Sequence, residues 1–181
     1  MTLADDPAVQ AWLDQDDRLS TETIRRYGTR IVYVGSDECV ACAALNRADR
    51  RRLAKQKKST DLPFAYTVGL FGIGHPELIV FGVDPQTAGG VLNDVSARIR
   101  AGHDLTPGVV LTFDEWHHHA LVEIVPNPGE IVFEANRFYQ RPPEASVEVL
   151  QLTLDDCSGR FPGEPGYSPK WRQPRPGQFR A

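Results

Sequence analysis

The sequence predicts an α+β fold, a mostly antiparallel sheet or small barrel that carries one long helix. β-rich runs outnumber helical ones, two of them flank a short glycine- and proline-containing loop, and a single strongly amphipathic helix interrupts the series. A regular alternation of strands and helices is absent. At 181 residues, with 41% hydrophobic and 24% charged positions, the chain can bury one core, so we expect a single domain over residues 1–181.

The amino-terminal third divides into a helical part and a basic part. Residues 1–28 are predicted to be a helical extension, with Val9, Trp12 and Leu13 on one apolar stripe and Gly28 at its end, before a strand at 29–34. Residues 37–62 read as an insertion that is an exposed helix or a mobile segment. Within it, residues 47–58 contain seven basic residues and one acidic residue, so this segment has a net charge of +6, against −4 for the whole chain.

The long helix is predicted at residues 84–101. Asp84 stands at the N-cap, Pro85 at the first helical position and Gly102 after the last turn. Its apolar positions recur at helical spacing: Ala88, Val91, Leu92, Val95 and Ile99. Further strands are predicted at 65–70, 78–83, 109–113, 120–125, 131–135 and 147–154, and the chain after 154 has no periodicity and should run over the surface.

Residues 63–174 contain several short motifs. They are YTVGL at 66–70, HPEL at 75–78, the Leu92-Asn93 pair, LQL at 150–152, GRFP at 159–162, EPGY at 164–167 and Gln173-Pro174. With them the chain resembles the bacterial family called domain of unknown function 4262 over about residues 30–174, with 63–174 as the family-like core. The resemblance implies a common fold and no activity. The insertion at 37–58 and Gly163, where a tryptophan is usual, depart from the family pattern.

One candidate site combines the YTVGL and HPEL motifs. Strand alternation predicts that Thr67 and the bare backbone of Gly69 face a ligand, with Tyr66 beside them. His75 and Glu77 are candidate catalytic residues, a general base and its orienting carboxylate. Arg160 and Gln173 are expected to bind the ligand from the GRFP segment, which would close over the loop as a lid. The alternative is that these residues only shape a turn and that Glu77 is solvent-exposed.

A second candidate is a metal site. His117 and His119 should share one face of a strand with Glu123, whereas His118 should face the core with Trp116, Ala120, Val122 and Ile124. Cys39 and Cys42 form half of a zinc motif that Cys157 and a histidine could complete. Zinc is therefore the cofactor to consider, in a metal-dependent hydrolase or redox enzyme. Solvated histidines and free thiols are the alternatives.

Composition, charge and cysteine count indicate the compartment and the kinds of partner to expect. The sequence lacks a membrane-length apolar run and a signal peptide, and three cysteines do not describe a disulfide framework, so we expect a cytoplasmic protein. The basic run lacks interleaved aromatic residues, which disfavours nucleic acid as a partner. A ligand-binding or protein-interaction domain is the first hypothesis, with a small molecule or protein as partner. Flavin binding rests on fold analogy alone, and exposed strand edges together with aromatic residues such as Phe138 and Tyr139 allow a homodimer.

Overall fold

The computed structural model describes residues 7–35 and 62–181. In this part of the chain three helices accompany six strands: α1 (Pro7–Tyr27), β1 (Arg30–Val34), β2 (Phe64–Val68), β3 (Glu77–Phe81), α2 (Pro85–Arg100), β4 (Val110–Phe113), β5 (Trp116–Ile124), α3 (Phe133–Phe138) and β6 (Val149–Leu154). The strands form one sheet in the order β1-β2-β3-β6-β5-β4. The α+β class with a mostly antiparallel sheet is confirmed, and the sheet is open rather than closed into a barrel.

The one parallel pair lies at the centre of the sheet. Glu77 of β3 stands opposite Val149 of β6, and both strands run in the same direction from there. All other neighbouring strands are antiparallel. The amino ends of β3 and β6 therefore share one end of the sheet and their carboxyl ends share the other.

Helix α2 covers one face of the sheet, as its sequence predicts. The Asp84 carboxylate accepts a hydrogen bond from the Thr87 amide at 2.9 Å, which satisfies one of the free donors of the first turn. All five predicted apolar positions are buried against Leu78, Val80 and Leu152 of the sheet. Leu92 is completely buried and stands at the centre of this layer.

The other face is covered by α1, α3 and the carboxyl-terminal segment. Phe64, Tyr66 and Phe81 of the sheet pack here with Val132 and Ala135. The rings of Phe64 and Phe81 lie 5.1 and 4.9 Å from the ring of Phe179, so the chain's last residues are part of this core layer.

Three sequence predictions on this fold are wrong in detail. Residues 131–135, predicted as a strand, form the end of a turn and the start of α3, because Ile131, Val132 and Ala135 bury one side at helical spacing. In helix α1, Trp12, which the sequence pattern places on the apolar stripe, is 62% exposed. Ile124, expected to face the core, is 60% exposed at the end of β5.

Two regions of the sequence have no counterpart in this description. Most of the basic insertion at 37–62, including Cys39 and Cys42, lies outside the described residues, as do residues 1–6. Among the helices that are described, none combines the length and hydrophobicity needed to cross a membrane.

Candidate functional site

The Glu77 carboxylate is buried beneath the turn that follows β2. Its Oε2 accepts hydrogen bonds from the Thr67 hydroxyl at 2.6 Å and the Leu70 amide at 3.3 Å, and its Oε1 accepts from the amides of Gly69 at 2.8 Å and Phe71 at 3.0 Å. Burial raises the pKa of Glu77, and these hydrogen bonds oppose part of that effect. Four donors saturate the carboxylate, so the contacts favour a structural role in holding this turn.

The other residues predicted for this site lie around the same turn. Tyr66 is buried and its hydroxyl accepts a hydrogen bond from the Glu134 amide at 3.2 Å, and burial raises its pKa. The Nδ1 of His75 lies 2.7 Å from the Pro76 carbonyl, which can only accept, so Nδ1 carries the proton. The His75 Nε2 is buried without a hydrogen bond in the described chain. A catalytic role for His75 and Glu77 stays a prediction.

The GRFP segment lies at the other end of the sheet. The Arg160 amide donates to the Asp156 carboxylate at 3.0 Å, just beyond the end of β6, whereas Glu77 stands opposite Val149 at its start. Seven residues of extended chain from 149 to 156 span about 23 Å. The structure therefore does not bring Arg160 to the His75 turn, and this segment is no lid over it.

A second buried carboxylate, Asp155, follows β6 directly. Its Oδ1 lies 2.8 Å from the Nδ1 of His118 and its Oδ2 lies 2.6 Å from the Nδ1 of His119. The side chains of Asp155 and His118 are completely buried, whereas that of His119 is 41% exposed. An ionised carboxylate only accepts hydrogen bonds, so each Nδ1 carries a proton.

Aromatic rings enclose His118. Its ring centroid lies 4.9 Å from that of Trp116 and 4.7 Å from that of Trp171, both at steep angles. The Nε2 of His118 is buried without a hydrogen bond in the described chain. The burial pattern of β5 confirms that His118 faces the core with Ala120 and Val122.

The predicted metal ligands do not converge in the described residues. The Nδ1 atoms of His118 and His119 are both engaged by Asp155. Glu123 is occupied by Arg175 at 2.6 Å and by the Thr153 hydroxyl at 2.6 Å. His117 is exposed and Cys157 is an exposed free thiol. Residues 7–35 and 62–181 contain no group of three or more His, Cys, Asp or Glu side chains suited to a metal ion.

The loop after β6 is folded around Asp156. This carboxylate accepts hydrogen bonds from the amides of Ser168, Arg160 and Ser158, which lower its pKa. The amide side chain of Gln173 makes two hydrogen bonds with the backbone of Leu154, at 2.7 and 2.9 Å, and takes the place of a neighbouring strand there. The structure does bring four of the predicted residues to the carboxyl end of β6: His119, Cys157, Arg160 and Gln173.

Comparison with known proteins identifies the family. The family model "Domain of unknown function" 4262 matches residues 23–168. This chain belongs to the domain of unknown function 4262 family. No curated protein and no solved structure matches it.

The part of this family member that matches contains both the Glu77 turn and the Asp155 cluster. Two residues near Asp155 follow the matched residues: Trp171, which packs against His118, and Gln173, which bonds to the Leu154 backbone. Sequence reasoning missed Asp155 as a functional candidate, although an acidic pair after a buried strand and a histidine triplet on another strand were both visible.

The face of β5 that carries His119 also carries a shallow groove. Strand alternation places His119, Leu121 and Glu123 on one side of β5. Leu121 and Glu123 line a groove of about 450 Å³, together with Arg175 and two prolines. Leu121 is two residues from His119 on the same face of β5, and His119 itself is not one of the residues that line the groove.

Proposed function

We propose that this member of the family is an enzyme in which His119 exchanges protons with a small-molecule substrate. One observation carries the proposal: the wholly buried Asp155 carboxylate is 2.6 Å from the Nδ1 of an imidazole that is itself 41% exposed. A carboxylate that orients a histidine, which in turn reaches the surface, is the usual arrangement of a general base and its orienting group.

In this proposal each atom of the Asp155–His119 pair has a role. The Nδ1 proton of His119 is donated to Asp155, so the Nε2 lone pair is the base. When Nε2 accepts a proton, the carboxylate stabilises the imidazolium that forms. His118 holds the other oxygen of Asp155 and so fixes the rotation of the carboxylate. General base catalysis of this kind contributes about 10²- to 10⁴-fold to a rate.

The reaction class that this arrangement serves with the fewest additional groups is hydrolysis. Nε2 removes a proton from water while the water oxygen attacks a carbonyl carbon, and the same proton is then passed to the oxygen or nitrogen that leaves as its bond to the carbonyl carbon breaks. The groove beside Leu121 offers an apolar wall, and the Glu123–Arg175 ion pair offers polar contacts for a small ester or amide.

Two other functions have less support. A metal-dependent enzyme that uses His117 and His119 would need a further ligand, and Glu123, the carboxylate on the same face of β5, is engaged by Thr153 and Arg175. A ligand-binding or protein-interaction site at the YTVGL and HPEL motifs is supported by the unpaired Nε2 of His75. The Glu77 carboxylate already accepts four hydrogen bonds within the protein, so it has no free acceptor position for such a ligand.

The test is hydrolysis of p-nitrophenyl acetate by the full chain at neutral pH, with chelator present. We expect His119→Gln to lower the protein-dependent rate by about 10²- to 10⁴-fold, because the base is lost. Replacing His103, an exposed histidine at a distance from Asp155, by Gln is the matched control and should leave the rate unchanged. A wild-type protein that is no faster than the His119→Gln variant contradicts the proposal, and a rate abolished by the chelator would favour the metal-dependent alternative.

A further inference from the structure

A cavity with both polar and apolar lining residues lies where α1, β1 and α2 meet. It has a volume of about 490 Å³ and is lined by side chains of all three elements and of the connection after α1, among them Thr23, Thr29, Asn93, Ser96 and Arg100. Strands β2, β3 and β6 separate β1 from β5 in the sheet. At about 4.8 Å per strand the cavity is some 19 Å from the strand that carries His119, so it is a separate site.

The hydroxyl of Ser96 is buried in the wall of this cavity without a partner. The residue is 2% exposed, and its Oγ makes no hydrogen bond within the described chain. A serine within a helix ordinarily bonds the carbonyl four residues earlier, as Ser20 does with Asp16 at 2.8 Å. A buried hydroxyl without a partner is unfavourable, so a ligand that bonds to Ser96 would remove that cost.

The charge of the lining is positive. Arg100 is the one charged side chain among the residues that line the cavity, and none of them is a carboxylate. Its guanidinium is held in place by a hydrogen bond to the Tyr27 carbonyl and by contact with Gly28. A Cβ at Gly28 would come within 2.2 Å of that guanidinium, and the φ of +86° at Gly28 already disfavours a side chain.

We propose that this cavity binds a small organic anion that carries hydroxyl groups, of the sugar phosphate or hydroxycarboxylate class. Arg100 pairs with the anionic group, since a guanidinium suits carboxylate and phosphate oxygens. Ser96, Asn93 and Thr29 supply the hydroxyl and amide groups that would bond to the ligand's hydroxyls. The site is independent of the proposed role of His119.

The experiment is titration calorimetry of the full chain with glucose 6-phosphate, citrate and inorganic phosphate at physiological salt. We expect one of the two organic anions to bind with a dissociation constant of about 1 mM or lower, and more tightly than inorganic phosphate. Arg100→Met should weaken binding at least tenfold. Arg98→Met is the matched control, because Arg98 is on the same helix but pairs with Asp94 outside the cavity. His119→Gln should leave binding unchanged.

A second variant separates ligand contact from stability. Ser96→Ala removes a hydroxyl that has no partner, so the melting temperature without ligand should stay equal or rise while affinity for the anion falls. Ser20→Ala removes a bonded hydroxyl and should lower the melting temperature. The proposal is overturned if no probe binds, if inorganic phosphate binds as well as the organic anions, or if affinity survives both Ser96→Ala and Arg100→Met.

Discussion

Two buried carboxylates in this chain have partners of different chemical character. Glu77 accepts hydrogen bonds from a hydroxyl and from backbone amides, and none of these groups ionises near neutral pH. Asp155 faces two imidazoles, one of which reaches the surface. Imidazole is the side chain whose protonation changes in this range. The partners, rather than the burial that both carboxylates share, make Asp155 the functional candidate.

Glu77→Gln tests the structural role of the first carboxylate. The amide nitrogen that replaces one oxygen is itself a donor and faces the donors of Thr67, Gly69 or Phe71. We expect the free energy of unfolding to fall by about 2–3 kcal/mol, measured by urea denaturation. Glu148→Gln, an exposed neighbour, is the control and should change little. An unchanged stability with loss of ester hydrolysis would instead support the catalytic role predicted for Glu77.

Sequence reasoning correctly predicted that His118 faces the core and did not identify Asp155, for one physical reason. Strand alternation is local, so it placed His118 toward the core from its neighbours alone. The contact of Asp155 with the histidines spans 36 and 37 residues and depends on how β5 is aligned with β6. That alignment follows from packing of the whole sheet, which a local pattern does not contain.

At the scale of elements, α2 was the most predictable because its determinants lie within it. The cap at Asp84, the proline after it and the apolar spacing are all local features, and the structure confirms them. Residues 131–135 are the opposite case. A short apolar run fits either a strand or a buried helical turn, and only the packing of Val132 and Ala135 under the sheet decides between them.

Two adjacent glycines in α2 lead to a prediction about this helix. Gly89 and Gly90 lie in its interior, and a Cβ added at either would meet nothing within 4 Å. We expect Gly89→Ala and Gly90→Ala each to raise the free energy of unfolding by about 0.5–1 kcal/mol, because alanine loses less backbone entropy in a helix. Thermal and urea unfolding measure the change.

Gly82→Ala is the matched control for that experiment. Gly82 has a φ of +73°, and a Cβ there would come within 2.1 Å of the Arg172 carbonyl oxygen. This variant should therefore be destabilised. If Gly89→Ala and Gly90→Ala also destabilise the protein, the helix has a backbone contact at these positions that the described structure lacks.

At the scale of the whole molecule, the parallel pairing of β3 and β6 decides which motifs meet. A chain of successive hairpins would have returned the GRFP segment toward the His75 turn, but the parallel pair carries it to the opposite end of the sheet. The last residues then cover both faces, with Trp171 against His118 on one side and Phe179 against Phe81 on the other. Such long-range pairing lies beyond a reading of local periodicity.

Helix α1 is tied to the rest of the molecule by a network of charges. Asp16 pairs with Arg30 of β1 at 2.9 Å and with Arg137 of α3 at 2.7 Å. Burial raises the pKa of Asp16, but its hydrogen bonds and charge pairing with Arg30 and Arg137 outweigh burial and hold the pKa below its usual value. The network therefore stabilises the folded chain through the ionised form of Asp16.

The sign of this effect predicts an acid-sensitive contribution to stability. A carboxyl whose pKa is lower in the folded state stabilises above its unfolded pKa of about 3.9, and this contribution is lost as pH falls through the folded value. We expect Asp16→Asn to lower the free energy of unfolding by about 1–2 kcal/mol at pH 7, since two partly buried arginines lose their charged partner. The difference from wild type should shrink steadily below pH 4, because Asp16 of the wild type is then protonated as well. Urea unfolding at pH 7 and pH 3 measures this difference in the free energy of unfolding. Asp14→Asn, on the exposed side of α1, is the control. A difference that is the same at both pH values would mean that Asp16 acts through its shape rather than its charge.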